Sequence, residues 1–182
     1  MPYFILILFA LSSCMTANNE AKKIYQFNSN SEKKDWRIVN DGVMGGLSKG
    51  KFEINSSSNG LFSGSVSLEN NGGFTMIQHE LQKPIKVKNA TKLKLELKGD
   101  GKNYQFRVKS KLNEYYSYVK YFETKGEWET VDIPLNDLEA SFRGFKLDMP
   151  SFDQKEIAQI AFLISNKKAE TFELEIKSIS LE

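Results

Sequence analysis

Between residues 92 and 98 the chain reads Lys-Leu-Lys-Leu-Glu-Leu-Lys, with an apolar residue at every second position and a charged one between. This alternation puts Leu93, Leu95 and Leu97 on one face of an extended strand and Lys92, Lys94, Glu96 and Lys98 on the other, so one face is buried and one is wet. The pattern returns along the chain. Tyr104, Phe106 and Val108 alternate with Gln105, Arg107 and Lys109, and Phe62, Gly64, Val66 and Leu68 read likewise. So do Val131 with Ile133, Ile160 with Phe162 and Ile164, and Phe172 with Leu174 and Ile176. Turn-forming runs separate these segments: Asn71-Gly72-Gly73, Gly99-Asp100-Gly101 and Lys125-Gly126. Several half-buried strands at this spacing, with no helix of convincing length, predict an all-β chain folded as one β-sandwich. Short helical turns are expected only near 136–140 and 153–157. No internal repeat or second domain is visible.

A chain of 182 residues, or of the part left after a leader is removed, buries roughly 70% of its unfolded surface, so a real core is expected. A hydrophobic fraction of 40% and a charged fraction of 26% exclude global disorder. The formal charge of +2, with Lys and Glu interspersed, leaves no electrostatic footprint for nucleic acid. With one cysteine and one histidine, an intramolecular disulfide and a cysteine-rich metal site are both excluded. No cofactor motif is present, and a monomer is expected.

Tyr3 to Leu11 form an uncharged apolar run, too short for a membrane-spanning helix of about 20 residues but fitting a signal h-region. Leu11-Ser12-Ser13-Cys14 follows and is similar to the lipobox of bacterial lipoproteins, in which the cysteine takes the lipid. The expected organisation is a signal over 1–13, a linker over 14–23 beginning at lipidated Cys14, and the sandwich over 24–182. Several acyl chains, at about 0.8 kcal/mol per buried CH₂, would hold the domain at a membrane. Met15 after Cys14, rather than an aspartate, points in the Gram-negative pattern to the outer membrane, and so to the periplasmic or cell-surface side. Met1-Pro2 supplies no basic residue to the n-region.

The most unusual segment is Trp36 to Ser48, in which Gly45-Gly46 follows Met44 and Asp41 stands just before. These glycines permit positive φ or close backbone approach, as a tight turn or a ligand-facing loop requires. Gly45 to Lys51 is not a phosphate loop, because Phe52 stands where Ser or Thr would bind magnesium. Gly99-Asp100-Gly101 lacks the third glycine of a dinucleotide fingerprint. His79 has no metal-binding partners, and a calcium ion held by Asp41, Glu69 and Asn70 is not demanded by the spacing. The pairs Glu127 with Glu129 and Asp148 with Asp153 can be read as a glycosidase acid and nucleophile, but any acidic surface supplies such pairs. Tyr115, Tyr116, Tyr118, Tyr121 and Phe122 put rings on both faces of one predicted strand. Arg107 and Arg143 offer planar, bidentate donors to carboxylate, phosphate or sugar hydroxyls.

Taken in order, Trp36 with Val39 to Ser48, Phe62 with Gly64, Asn71 to Phe74, Gly99 to Lys102 with Tyr104, Phe106 and Arg107, Phe122-Glu123-Thr124, Gly126 with Trp128, Val131 with Ile133-Pro134-Leu135, Phe142-Arg143-Gly144, Ile160 with Phe162, and Phe172 to Ile176 carry a resemblance. The chain resembles the complex I intermediate-associated protein family, whose mitochondrial members help assemble respiratory complex I. The family's Gly-Pro before the last strand is Glu170-Thr171 here, and its late Trp gives way to Ser178-Ile179-Ser180. The resemblance implies a galactose-binding-like jelly-roll sandwich, a fold shared with many carbohydrate-binding modules. It implies a non-catalytic, assembly-factor-like or chaperone-like binding module for an unknown protein client or glycan. A carbohydrate-binding protein and a glycan-acting hydrolase are the alternatives. For such a site the expected residues are Asp41, Met44, Gly45, Gly46, Ser48, Asn71, Arg107 and Arg143, with no catalytic residue and no metal.

Overall fold

The computed structural model describes residues 21–42 and 45–182. The expected signal, Cys14, most of the expected linker, and Met44 lie outside the described residues.

The described chain forms strands β1 (Lys22–Gln26), β2 (Arg37–Asn40), β3 (Lys49–Ile54), β4 (Gly60–Val66), β5 (Thr75–Lys86), β6 (Lys92–Lys98) and β7 (Asn103–Lys109). These are followed by β8 (Ser117–Glu123), β9 (Trp128–Pro134), β10 (Glu139–Phe142), β11 (Phe145–Lys146), β12 (Glu156–Ile164) and β13 (Glu170–Leu181). They make two antiparallel sheets, one ordered β3-β4-β13-β6-β9 with β1 also on β13, the other β11-β10-β8-β7-β12-β5-β2. The chain crosses repeatedly from one sheet to the other, as in a jelly roll. β1 takes in Lys22 and Lys23, which the sequence reading placed in the linker, because both pair with the end of β13 at Leu181 and Ser180.

The alternation works as read. Leu93, Leu95, Leu97, Phe106, Phe162, Leu174 and Ile176 all face inward and are buried, each contributing about 1.5–3 kcal/mol of apolar transfer. Phe106 meets Phe162 edge-on at 5.1 Å within one sheet, and Tyr104 reaches Phe172 of the other at 6.4 Å. A register shift between Ile176 and Ser178 turns Ile179 and Leu181 back into the core. Two turn expectations are corrected. The 136–140 turn shortens to a 3-10 turn at Leu135–Asp137, after which Glu139–Phe142 is β10, its polar side chains overruled by backbone pairing with β8. Residues 153–157 form no helix, since Glu156 already begins β12 against Lys86.

The two outer faces differ. That of the six-stranded sheet is solvated and carries ion pairs: Lys92 with Asp132, Lys94 with Glu182 and Lys177 with Glu96. On the seven-stranded sheet the outward Gln78, Gln105 and Gln159 are only 6%, 6% and 8% exposed. Flanking loops shelter that face, leaving a groove.

Candidate functional site

The registers set out the groove floor. Arg37, Gln78, Ala161, Arg107, Val119 and Glu139 face one another across β2, β5, β12, β7, β8 and β10. On one side of this row Glu80 opposes Gln159 and Gln159 opposes Lys109; on the other Met76, Leu163 and Gln105 stand in line. Hollows of about 300 and 570 Å³ lie over these rows and share Met76, Arg107 and Arg143, so they are continuous. The wall is raised by Tyr115, which stacks edge-on with Phe142 at 5.2 Å, and by the β10–β11 hairpin. That hairpin closes through Arg143 and Gly144 at φ 50° and 83°, the positive pair of a tight two-residue turn. Arg143 is thereby lifted over the floor, its guanidinium 5.2 Å from the centre of the Phe142 ring.

The chain contains only three arginines, Arg37, Arg107 and Arg143, and all three line this groove. Among the described residues every ion pair uses a lysine and none uses an arginine. Neutral amides hold the guanidiniums instead. Arg107 Nη1 donates to the Gln105 side-chain oxygen at 2.8 Å. With the Gln78 amide turned so that its oxygen faces Arg37, that oxygen accepts from Arg37 Nε at 3.2 Å and Nη2 at 2.6 Å, and from Gln159 Nε2 at 3.2 Å. Burial lowers the pKa of Arg107 and, more mildly paired, that of Lys109, whose ammonium donates to the Glu114 carbonyl at 2.6 Å. The charge is positioned without being neutralised. Glu80 and Asp41 line the two hollows, and Glu139 in the floor row is ion-paired with Lys146.

Asp41 is only 8% exposed, and its carboxylate binds the protein itself. Ser48 Oγ donates to it at 2.5 Å, and the amides of Ser48, Gly73 and Phe74 donate at 3.2, 2.6 and 3.3 Å. Burial alone raises the Asp41 pKa, but the Ser48 hydroxyl and the three amides outweigh it and leave the carboxyl below its usual value. A Cβ on Gly46 would lie 2.4 Å from Asp41 Oδ1, and one on Gly72 2.7 Å from Oδ2, so these glycines make room for the carboxylate. Asn70 Nδ2 joins the same pair of loops by donating to the Gly45 carbonyl at 2.9 Å. Of the expected site residues, Asp41, Asn71, Arg107 and Arg143 line the groove, whereas Ser48, Gly45 and Gly46 build the clamp behind one end.

Other candidates resolve locally. Tyr118 and Phe122 point into the core and Tyr121 outward, while Tyr115 and Tyr116 precede β8, so rings do occupy both faces but not as one stripe. His79 lies against Trp36 at 5.3 Å, with Nδ1 2.7 Å from the Asp35 carbonyl. Glu127, Glu129, Asp148 and Asp153 are absent from the groove lining. Asp100 accepts from the Tyr104 hydroxyl and the Glu173 amide, so the Gly99-Asp100-Gly101 turn ties β13 down. Among the described residues no cluster of three or more metal-ligating side chains occurs, and no helix is long and apolar enough to cross a membrane. Sequence reasoning missed Arg37, Gln78, Gln105 and Gln159. The one signal of the three glutamines is an uncharged side chain at the polar phase of strands whose other polar positions are mostly charged.

The sequence profile of Complex I intermediate-associated protein 30 (CIA30) matches residues 25–176. The chain belongs to the CIA30 family. No curated protein matches this CIA30 chain at a significant level. Among solved structures it is similar to the family 11 carbohydrate-binding module of the cellulosomal cellulase Lic26A-Cel5E of Clostridium thermocellum, at 15% identity and a TM-score of 0.67, covering 88% of this chain and 93% of that one. It is similar too to a Clostridium thermocellum family 11 module in complex with a beta-1,3-1,4-mixed-linked tetrasaccharide, at 16% identity and TM-score 0.65, covering 88% and 95%. The agarase AgWH50C matches at 9% identity and TM-score 0.61 over 89% of this chain but 24% of its own. At these identities the likeness establishes the fold, the galactose-binding-like jelly roll expected of the CIA30 family.

Proposed function

We propose that this CIA30-family chain is a non-catalytic binding module that takes its ligand in the groove on the outer face of the seven-stranded sheet. One observation carries the reading: Arg107 is a sheltered guanidinium with a neutral amide partner and no ion pair among the described residues. Holding a desolvated charge uncompensated is unfavourable in the free protein, so such a group suits a ligand that completes it. The absence of paired carboxylates from the groove lining favours binding over glycan hydrolysis. Cys14 would carry the lipid that tethers the module to a membrane, on the exported side.

Carbohydrate binding is the form of this reading that the side chains favour. Gln78, Gln105 and Gln159 offer both donors and acceptors, as sugar hydroxyls require, and the similar family 11 module was solved with a tetrasaccharide. The test is a broad saccharide and peptide panel presented to the full-length chain and to Arg107→Ala, with the bound material recovered and analysed. Ligand that binds, is recovered uncleaved and is lost in Arg107→Ala supports the reading. Turnover of the ligand, or binding indifferent to Arg107, overturns it. Fatty-acid labelling of the full chain that persists in Cys14→Ser overturns the tether.

A further inference from the structure

The segregation of arginine from lysine deepens that reading. All three arginines lie in one groove, and among the described residues none is in an ion pair while every ion pair uses a lysine, Lys146 with Glu139 at the far end of the floor row included. Arg37 and Arg107 stand in one row with β5 and β12 between them, so their backbones are roughly 14 Å apart at three strand spacings. Arg143 overhangs the same stretch from the hairpin. We propose that the groove binds an acidic saccharide chain, one bearing carboxylate or sulfate groups at intervals, with the anions on Arg107, Arg143 and Arg37 and the hydroxyls on Gln78, Gln105 and Gln159. The inference rests on the binding reading above.

Each part of the site fits such a ligand and fits others less well. Guanidinium forks bind carboxylate and sulfate oxygens in pairs, which a lysine ammonium does not. The two anchored arginines are held by the oxygens of Gln105 and Gln78, which leaves their net charge intact, and both line the groove. Tyr115, 65% exposed on the rim, offers a ring to a sugar face. A neutral glucan would leave the sheltered Arg107 uncompensated. An acidic peptide would satisfy them, yet its backbone amides would meet only the paired interior of a sheet, whose own N–H and C=O groups are already spent. Glu80 at one end opposes an anion placed there, which puts the expected charges nearer Arg107 and Arg143 than Lys109.

The experiment is calorimetric titration of the full-length chain with oligogalacturonate, with a sulfated galactan oligosaccharide, with a neutral mixed-linkage glucan oligosaccharide of similar length, and with oligoglutamate. Expected are binding of one or both acidic saccharides at least tenfold tighter than the neutral one, and weakening as salt rises. Arg107→Gln and Arg143→Gln should each lower affinity at least tenfold, and Arg107→Lys severalfold, with melting temperatures monitored alongside. Arg143 sits at an exposed hairpin tip, so its variant reports even if Arg107→Gln folds poorly. The carboxylate and sulfate arms distinguish the two anion chemistries. Neutral glucan binding equally well and lost in Arg107→Gln would refute the acidic preference while leaving the groove as the binding site. Oligoglutamate binding with arginine dependence, and no saccharide binding, overturns the saccharide assignment. Acidic saccharide binding unchanged in both arginine variants marks diffuse attraction and overturns the inference. Binding of none of the four probes overturns it as well, and the broad panel then decides the parent reading.

Discussion

Ser48 Oγ donates a 2.5 Å hydrogen bond to the buried carboxylate of Asp41 while accepting one from the Ser67 amide at 3.0 Å, so a single hydroxyl stitches together the two glycine loops. This places Asp41, Gly45, Gly46 and Ser48 in the architecture of the groove's end rather than across its floor. Asp41→Ala leaves the amides of Ser48, Gly73 and Phe74 without their acceptor, while the Ser48 hydroxyl keeps the Ser67 carbonyl at 3.3 Å, each orphaned donor costing about 1–3 kcal/mol. A loss of about 3 kcal/mol or more is expected in urea denaturation. A loss below about 1 kcal/mol would mean that the clamp contributes little.

The same carboxylate makes a pH signature. Its folded pKa is depressed below the ordinary 3.8, first against the opposing effect of burial and then by the Ser48, Gly73 and Phe74 donors. A depressed carboxyl contributes stability that is fully present above the unfolded value and is lost as pH falls through the folded one. Stability of the wild type should therefore drop on acidification below about 4, and Asp41→Asn, though less stable at neutral pH, should show a shallower acid limb. Parallel limbs for the two proteins would contradict the shift.

Gly46→Ala tests the packing around this clamp. Its Cβ would come within 2.4 Å of Asp41 Oδ1 and 2.7 Å of the Asp41 carbonyl oxygen, so the loop must shift. About 1–3 kcal/mol of destabilisation is expected. Gly101→Ala, where a Cβ meets nothing within 4 Å but φ is +78°, should cost about 1 kcal/mol from backbone conformation alone. Thermal melts of both variants separate crowding from strain.

Arg107 should trade stability against binding. Its guanidinium is desolvated without an ionic partner among the described residues, so Arg107→Met, which keeps the aliphatic stem, is expected to match the wild type or exceed it by up to about 2 kcal/mol. Ligand binding should be lost in the same variant. A fall of more than about 1 kcal/mol in denaturant midpoint terms would assign Arg107 a structural role instead.

The alternation itself is testable at two aromatic positions. Phe162 is fully buried and touches Trp36, Phe106 and Phe122, so Phe162→Ala should cost about 3–5 kcal/mol. Tyr121, on the outer phase of β8 and 57% exposed, should change stability by no more than about 0.5 kcal/mol when made Ala. Equal losses would mean that the in-and-out assignment of the strands is wrong.

Strands with a clean period were legible in the sequence: β6 and β7 show theirs in Leu93 to Leu97 and Tyr104 to Val108. β5 was not, because polar Thr75 and His79 share the inward phase with Ile77 and Leu81 while apolar Met76 sits on the groove phase, so the stretch reads as one apolar run. β10 was hidden by Glu139 and Ser141, polar on the phase that faces the groove. Arg107 and Arg143 stood out for their chemistry alone. Asp41 and the glycines stood out for their oddity, which proved to be a carboxylate clasped by backbone amides.

Period-two patterning, glycine turns and a residue-by-residue family resemblance sufficed for the sandwich, because each of those signals is local: a strand's two faces are decided by neighbouring residues. The groove is not local. Arg37, Gln78, Ala161 and Arg107 come together only through the β2-β5-β12-β7 order, and that order is set by which strands pair across the whole chain. Likewise, nothing in the order of the letters distinguishes an arginine that will be left without a counter-ion from a lysine that will find one. That difference arises when two sheets pack, and one outer face is left open to water while the other is sheltered by its loops.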